Sequence, residues 1–155
     1  MTEDKIGMSE EETAAGAAVA AGTDTAEKQA SEAEKIAAEK GLHILYEDNH
    51  IIVALKPQML GCCPDESKDD NLFDKIKEYI KEAYKKSGNV YLGLVHRLDR
   101  PTGGVMVYAK TSKAAARLSE GMQKGDFEKK YLAVLVGEVE GERGTLTNYP
   151  VSYTH

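Results

Sequence analysis

The sequence predicts an α+β protein built on a mixed, largely antiparallel sheet with flanking helices. Three observations carry that expectation. Apolar, β-rich runs recur at His43–Glu47, His50–Leu55, Val105–Ala109 and Lys130–Val136. Two amphipathic segments with helical spacing lie between them. Short turn signals link several of the runs, and strands outnumber helices, which fits an α+β mixed sheet best.

Taken in order, HILYE and HIIVAL are joined across Asp48-Asn49, a tight hairpin turn. The second run is apolar on both faces and predicts a strand buried on both sides. Lys56-Pro57 ends it, because proline has no N–H for the ladder. Residues 59–70 read as a loop. Leu72, Phe73, Ile76, Tyr79, Ile80, Ala83 and Tyr84 then recur on one helical face, with Gly88 just past the end. Tyr91–Val95 leads into the turn-rich stretch His96–Gly104 and the strand VMVYA. Thr111 or Ser112 caps a helix over Lys113–Lys124, with Ala115, Leu118 and Met122 inward and Gly125 as its stop.

The N-terminal quarter differs in composition. Residues 1–40 hold eleven Ala, and ten Asp/Glu against four Lys. The chain totals of 26 acids and 20 bases leave 16 of each for residues 41–155, so the net charge of −6 resides in the first forty residues. Ile6, Val19 and Ile36 cannot build a core. Residues 1–40 are therefore expected to be an acidic Ala/Glu-rich tail, disordered or a solvated helix over Ala26–Lys40. Residues 95–131 reverse the balance, with eight Lys/Arg against four Asp/Glu, and permit a polyanion partner.

Composition excludes several classes. No run reaches the roughly 18 apolar residues of a membrane span, and residues 1–20 have no apolar signal core. Cys62 and Cys63 are adjacent and form no disulfide framework, and no zinc-ligand spacing is present. A reduced, cytoplasmic protein without membrane partner or metal is the expectation. No motif sets an oligomeric state.

The segment with chemical content is HRLDRPTGG. Asp99 lies between Arg97 and Arg100, just before a Pro-Thr-Gly-Gly turn. Neighbouring cations favour an ionised carboxylate that serves as nucleophile or base. The alternative is a loop Asp in a surface ion pair beside an ordinary turn. A kinase catalytic loop is excluded, since Leu98 interrupts H-R-D and position 104 is Gly. A P-loop is excluded because G-x4-G-K-[ST] is absent.

The longer pattern HRLDRPTGGVMVYAKT resembles the signature of the RluA-type RNA pseudouridine synthases, H-R-L-D-x-x-T-[SG]-G followed by an apolar strand and Ala-Lys. It matches at His96, Arg97, Leu98, Asp99, Thr102, Gly103, Gly104, Ala109 and Lys110. Lys129-Lys130-Tyr131-Leu132-Ala133-Val134 is similar to the family's K-x-Y-x-A-x-V block, and Val53–Pro57 to its strand plus Lys-Pro. The resemblance covers roughly residues 42–150.

It implies a pseudouridine synthase-like fold and isomerisation of uridine in ribosomal or transfer RNA, without metal, redox cofactor or other small-molecule cofactor. Asp99 would be the catalytic carboxylate. Tyr131 would lie against the target base. Arg97 would fill the stack vacated by the flipped nucleotide, with Arg100, Lys110 and Lys130 as RNA contacts. Lys113, Arg117, Lys124 and Lys129 are further candidates on the same basic face. His96, Thr102, Gly103 and Gly104 would shape the turn. The family also carries a later Gly/Arg/His/Gln-rich block that has no match here. Residues 41–155 are accordingly expected to be the N-terminal part of a synthase catalytic domain, with a catalytically silent RNA-binding module as the alternative.

Overall fold

The computed structural model describes residues 28–66, 68–138, 141–145 and 147. Residues 1–27 of the tail expected over residues 1–40, and the terminal segment 148–155, lie outside these. Among the described residues, four strands form one antiparallel sheet in the order β1-β2-β4-β3. They are β1 (His43–Glu47), β2 (Ile51–Lys56), β3 (Gly93–Leu94) and β4 (Gly104–Ala109). Three helices accompany the sheet: α1 over residues 28–39, α2 (Leu72–Ala83) and α3 (Ser112–Lys124). This is the expected α+β class.

The β1–β2 hairpin turns on three residues rather than two. Asp48 Oδ1 accepts the N–H groups of both His50 and Ile51 at 2.7 Å, and its N–H donates to Ile51 O at 3.1 Å. These bonds hold His50 in the turn, so the strand begins at Ile51. The two amides also hold the Asp48 carboxyl below its ordinary range. A register shift between Ile44 and Tyr46 bulges β1.

The sheet has one closed face and one open one. Ile52 and Ala54 of β2 and Met106 and Tyr108 of β4 are fully buried on the closed face, under α2. That helix lays Leu72, Ile76, Tyr79 and Ile80 onto them, and Phe73 meets the Tyr108 ring at 6.1 Å. Asn71 caps α2 by accepting from Asp74 N–H at 2.9 Å. On the opposite face Val53 is half-buried while Leu55 and Val105 are exposed. The expectation of a strand buried on both faces is thus corrected. α3 covers only part of the second face, and Ala115, Leu118 and Met122 are half-buried rather than core residues. Thr111 caps α3, accepting from Ala114 N–H at 3.2 Å, and Gly125 ends it.

Two further segments depart from expectation. α1 is not solvated on every side. Ala33, Ile36 and Ala37 line one face, and Ala37 reaches the core at 6% exposure. Lys40, just past the helix, bridges to Glu82 of α2 at 2.8 Å. The strand expected over Lys130–Val136 is absent: residues 130–136 adopt no regular pairing, and Leu132 and Val134 are 99% and 98% exposed. A strand is stabilised by a neighbour's ladder and by a face to bury. Among the described residues nothing supplies either to this segment.

Candidate active site

The loop His96–Gly103 connects β3 to β4 and carries the candidate catalytic carboxylate. Its conformation is fixed from three sides. At its start, His96 Nε2 accepts the Val107 N–H at 3.0 Å, so the imidazole replaces a ladder partner that β4 lacks there. Burial, reinforced by Lys129, pushes the His96 pKa down and keeps the ring neutral. In the middle, Thr102 N–H donates to Asp99 O at 3.0 Å and closes the turn. At its back, Arg100 O accepts from Met59 N–H at 2.8 Å and from Lys56 Nζ at 3.1 Å.

Lys56 is the unusual member. It is 1% exposed, and its ammonium donates to Leu60 O at 2.6 Å and Pro57 O at 3.2 Å as well as to Arg100 O. Three carbonyls meet the three protons of an ammonium. Burial, with Arg100 adding to it, pulls the Lys56 pKa below its usual value, while Cys62 and Asp99 oppose the shift. One side chain thereby joins the end of β2, the segment 57–60 and the Asp99 loop.

The glycines of the motif have steric reasons. A Cβ at Gly103 would stand 3.2 Å from Gln58 Cγ and 3.3 Å from Lys56 O. Gly104 has φ +154°, outside what L side chains adopt, and a Cβ there would press on Leu98 Cδ1. Gly103 lets the loop pass over the 56–58 backbone, and Gly104 turns it into β4.

Asp99 itself is exposed and lines a cavity of about 340 Å³ with Gly61, Cys62, Cys63, Arg97 and Arg100. The arginines that flank it in sequence face other partners. Arg100 Nη2 bridges to Asp69 Oδ2 at 2.8 Å. The Arg97 guanidinium lies against the Cys62 and Cys63 thiols, which raises its pKa. The carboxylate is presented to the cavity by a pinned loop, with two cations within the same lining.

The other anticipated residues separate. Lys110, expected as an RNA contact, has several partners within the protein. Its Nζ pairs with Glu47, where the two side chains are 10% and 12% exposed, and donates to Asp48 O at 2.7 Å. It also sits 4.7 Å above the Tyr84 ring. These partners tie the end of β4 to the β1–β2 hairpin and to Tyr84. Tyr131 is 68% exposed and outside the cavity lining. Lys130 is exposed and bridges to Glu128 at 3.1 Å. Lys124 pairs with Glu120 at 2.6 Å. The structure brings together Asp99, Arg97 and Arg100, with His96, Thr102, Gly103 and Gly104 shaping their loop.

Sequence reasoning missed Cys62 and Cys63 as part of this lining, and it missed Lys56 as the anchor. A lysine directly before proline at the end of an apolar strand was visible. That its ammonium turns inward was not. The cluster around Glu47, which accepts from Tyr79 OH at 2.7 Å and Tyr84 OH at 2.8 Å, was also hidden. Burial and this carboxylate push the Tyr84 phenol up to about 12, and that of Tyr79 higher still.

Comparison with known proteins bears on the family. Residues 50–152, well over half the chain, match the family model described as RNA pseudouridylate synthase. An uncharacterized RNA pseudouridine synthase of Bacillus subtilis is 34% identical over 125 residues, 79% of this chain and 40% of that protein. Ribosomal large subunit pseudouridine synthase D of Escherichia coli strain K12 is 34% identical over 119 residues, covering 74% of this chain and 35% of that protein. The corresponding synthase D of Xanthomonas campestris is 36% identical over 96 residues, 62% and 28% of the two chains. A solved structure, human RNA Pseudouridylate Synthase Domain Containing 4, aligns with TM-score 0.47 and 24% identity over 64% of this chain and 34% of that one. The chain thus spans two fifths or less of the length of these curated relatives. No helix among the described residues is long and apolar enough to cross a membrane. With the RluA-type blocks around Asp99 and a family match that contains them, the chain belongs to the RNA pseudouridylate synthase family.

Proposed function

We propose that this chain forms part of an RNA pseudouridine synthase that isomerises uridines of ribosomal or transfer RNA, with Asp99 as its catalytic carboxylate. The observation that carries the reading is the loop His96–Gly103. It presents an exposed Asp99 on a backbone tied down by Lys56, Met59 and His96. Catalysis by one carboxylate depends on such fixed placement. The target nucleotide is extruded from its stack at a cost of a few kcal/mol, least in loops and bulges. Asp99 attacks the sugar or takes a proton while the C1′–N1 bond breaks. The uracil rotates, C1′ bonds to C5 as the Asp99–C1′ bond breaks or the abstracted proton returns to the sugar, the C5 proton leaves to solvent, and N1 is protonated. Arg97, exposed in the cavity lining, takes the place of the extruded base, since a planar cation stacks and also neutralises phosphate. Tyr131 closes over the base, and Arg100 and Lys130 contact the RNA backbone. Metal and cofactor have no part in this chemistry. The protein acts in the cytoplasm, where its free cysteines remain reduced.

The test is to incubate the chain with ribosomal and transfer RNA from cells lacking the gene and to map pseudouridine by the mass shift of its carbodiimide adduct, since the isomerisation itself leaves mass unchanged. New pseudouridine that disappears in Asp99→Asn, with RNA affinity kept within about threefold, supports the role; a difference that small corresponds to well under 1 kcal/mol. Product formed by Asp99→Asn overturns it. A second reading, RNA binding without isomerisation, is favoured by the position of Tyr131, exposed and outside the cavity that holds Asp99. Salt-sensitive RNA binding by a folded chain that yields no pseudouridine would support that reading instead.

A further inference from the structure

Cys62 and Cys63 are the only cysteines of the chain. In an extended segment adjacent side chains point to opposite sides, but the backbone bends at residues 62–63 and brings both sulfurs to one side. Cys62 Sγ–H donates to Cys63 Sγ at 3.8 Å. The bend is held from outside. Tyr108 OH, in the core, donates to Cys62 O at 3.0 Å, and Leu72 N–H donates to Gly61 O at 2.8 Å. Cys62 is buried and Cys63 half-buried. Both line the cavity of about 340 Å³ that also holds Asp99, with the Arg97 guanidinium against them.

We propose that Cys62 and Cys63 form a preorganised dithiol site that captures a trivalent, thiophilic arsenical in the cavity beside Asp99. A centre bonded to both sulfurs leaves them apart and asks for less movement than a direct disulfide, whose S–S bond is about 2.05 Å. The reaction balances without an oxidant. With phenylarsine oxide, two As–S bonds form, the As–O bond breaks, and the oxygen leaves as water carrying both thiol protons. Neither arsenic nor sulfur changes oxidation state. Burial pushes the Cys63 thiol up, which slows alkylation through a thiolate but leaves this condensation of protonated thiols open. The proposal does not depend on which reaction Asp99 performs.

The test uses the full chain, phenylarsine oxide and intact mass. One phenylarsenic group per chain is expected, retained in excess 2-mercaptoethanol and released by 1,2-ethanedithiol. Cys62→Ser and Cys63→Ser, checked for an unchanged melting transition, should each bind about a hundredfold more weakly, because the second sulfur acts at high effective concentration. Cys63→Ala serves as a second variant at the half-buried position. Wild-type affinity in any of these variants, or equal stripping of wild type and variants by the monothiol, overturns two-sulfur capture. Equal affinity in the urea-unfolded chain overturns the claim that the fold builds the site.

Discussion

Lys56 and His96 show how single residues prepare the Asp99 loop. The Lys56 ammonium satisfies carbonyls of Pro57, Leu60 and Arg100 from a position with 1% exposure. Lys56→Met keeps the bulk and removes the donors, leaving buried acceptors without their charged partner. We expect a loss of about 3 kcal/mol in urea denaturation, since each orphaned acceptor costs about 1–3 kcal/mol. A change below about 0.5 kcal/mol would remove the anchoring role. His96 makes a pH prediction. Its folded pKa lies below the ordinary 6.5, so between the folded value and 6.5 the unfolded chain binds the extra proton. Stability therefore falls as pH drops through 6.5 and levels off below the folded pKa. His96→Gln retains an acceptor for Val107 N–H without titrating. Its stability should fall less steeply between pH 7 and pH 5, measured by thermal melts. Parallel curves for the two proteins would show that His96 does not carry the effect.

At the scale of elements, the tie between Lys110 and Glu47 joins the end of β4 to the β1–β2 hairpin. Glu47 in turn accepts from Tyr79 of α2 and from Tyr84 at its C-terminus. Removing one member of a buried pair leaves the other charge uncompensated, at a cost of about 3 kcal/mol. Lys110→Ala should lower the unfolding free energy measured in urea by that amount and leave RNA affinity at fixed salt nearly unchanged. A tenfold loss of affinity with intact stability would place Lys110 on the RNA-binding face. α1 is a similar case. Its composition is that of a solvated helix, yet the spacing of Ala33, Ile36 and Ala37 supplies a narrow stripe, and a small side chain at Ala37 permits close approach to the core.

At the scale of the whole molecule, the described residues cover the sheet thoroughly on one face and lightly on the other. The apolar run after α3 meets no partner among the described residues. Substitutions at fully exposed positions act little on folding, usually within about 0.5 kcal/mol. Leu132→Lys combined with Val134→Lys should thus leave the melting transition in place while reducing concentration-dependent association in sedimentation, because contiguous exposed apolar surface drives self-association. A drop of several degrees in melting temperature would show that this run packs on the sheet. The charge distribution works at the same scale: the whole-chain acidity resides in residues 1–40, and residues 41–155 are balanced.

What the sequence determined by itself was local or carried by contiguous motif. Periodicity set α2, α3 and the hairpin strands, because an amphipathic stripe and a cap act within a few residues. The Asp99 loop and its family were legible because nine motif positions lie within sixteen residues. Tertiary structure decided what depends on residues distant in the chain. It turned Lys56 inward to Arg100 and Lys110 toward Glu47, brought Cys62 and Cys63 beside Arg97, and opened the second face of β2. It also left Lys130–Val136 without strand pairing, since β propensity forms a strand only where a neighbouring ladder and a face to bury are present.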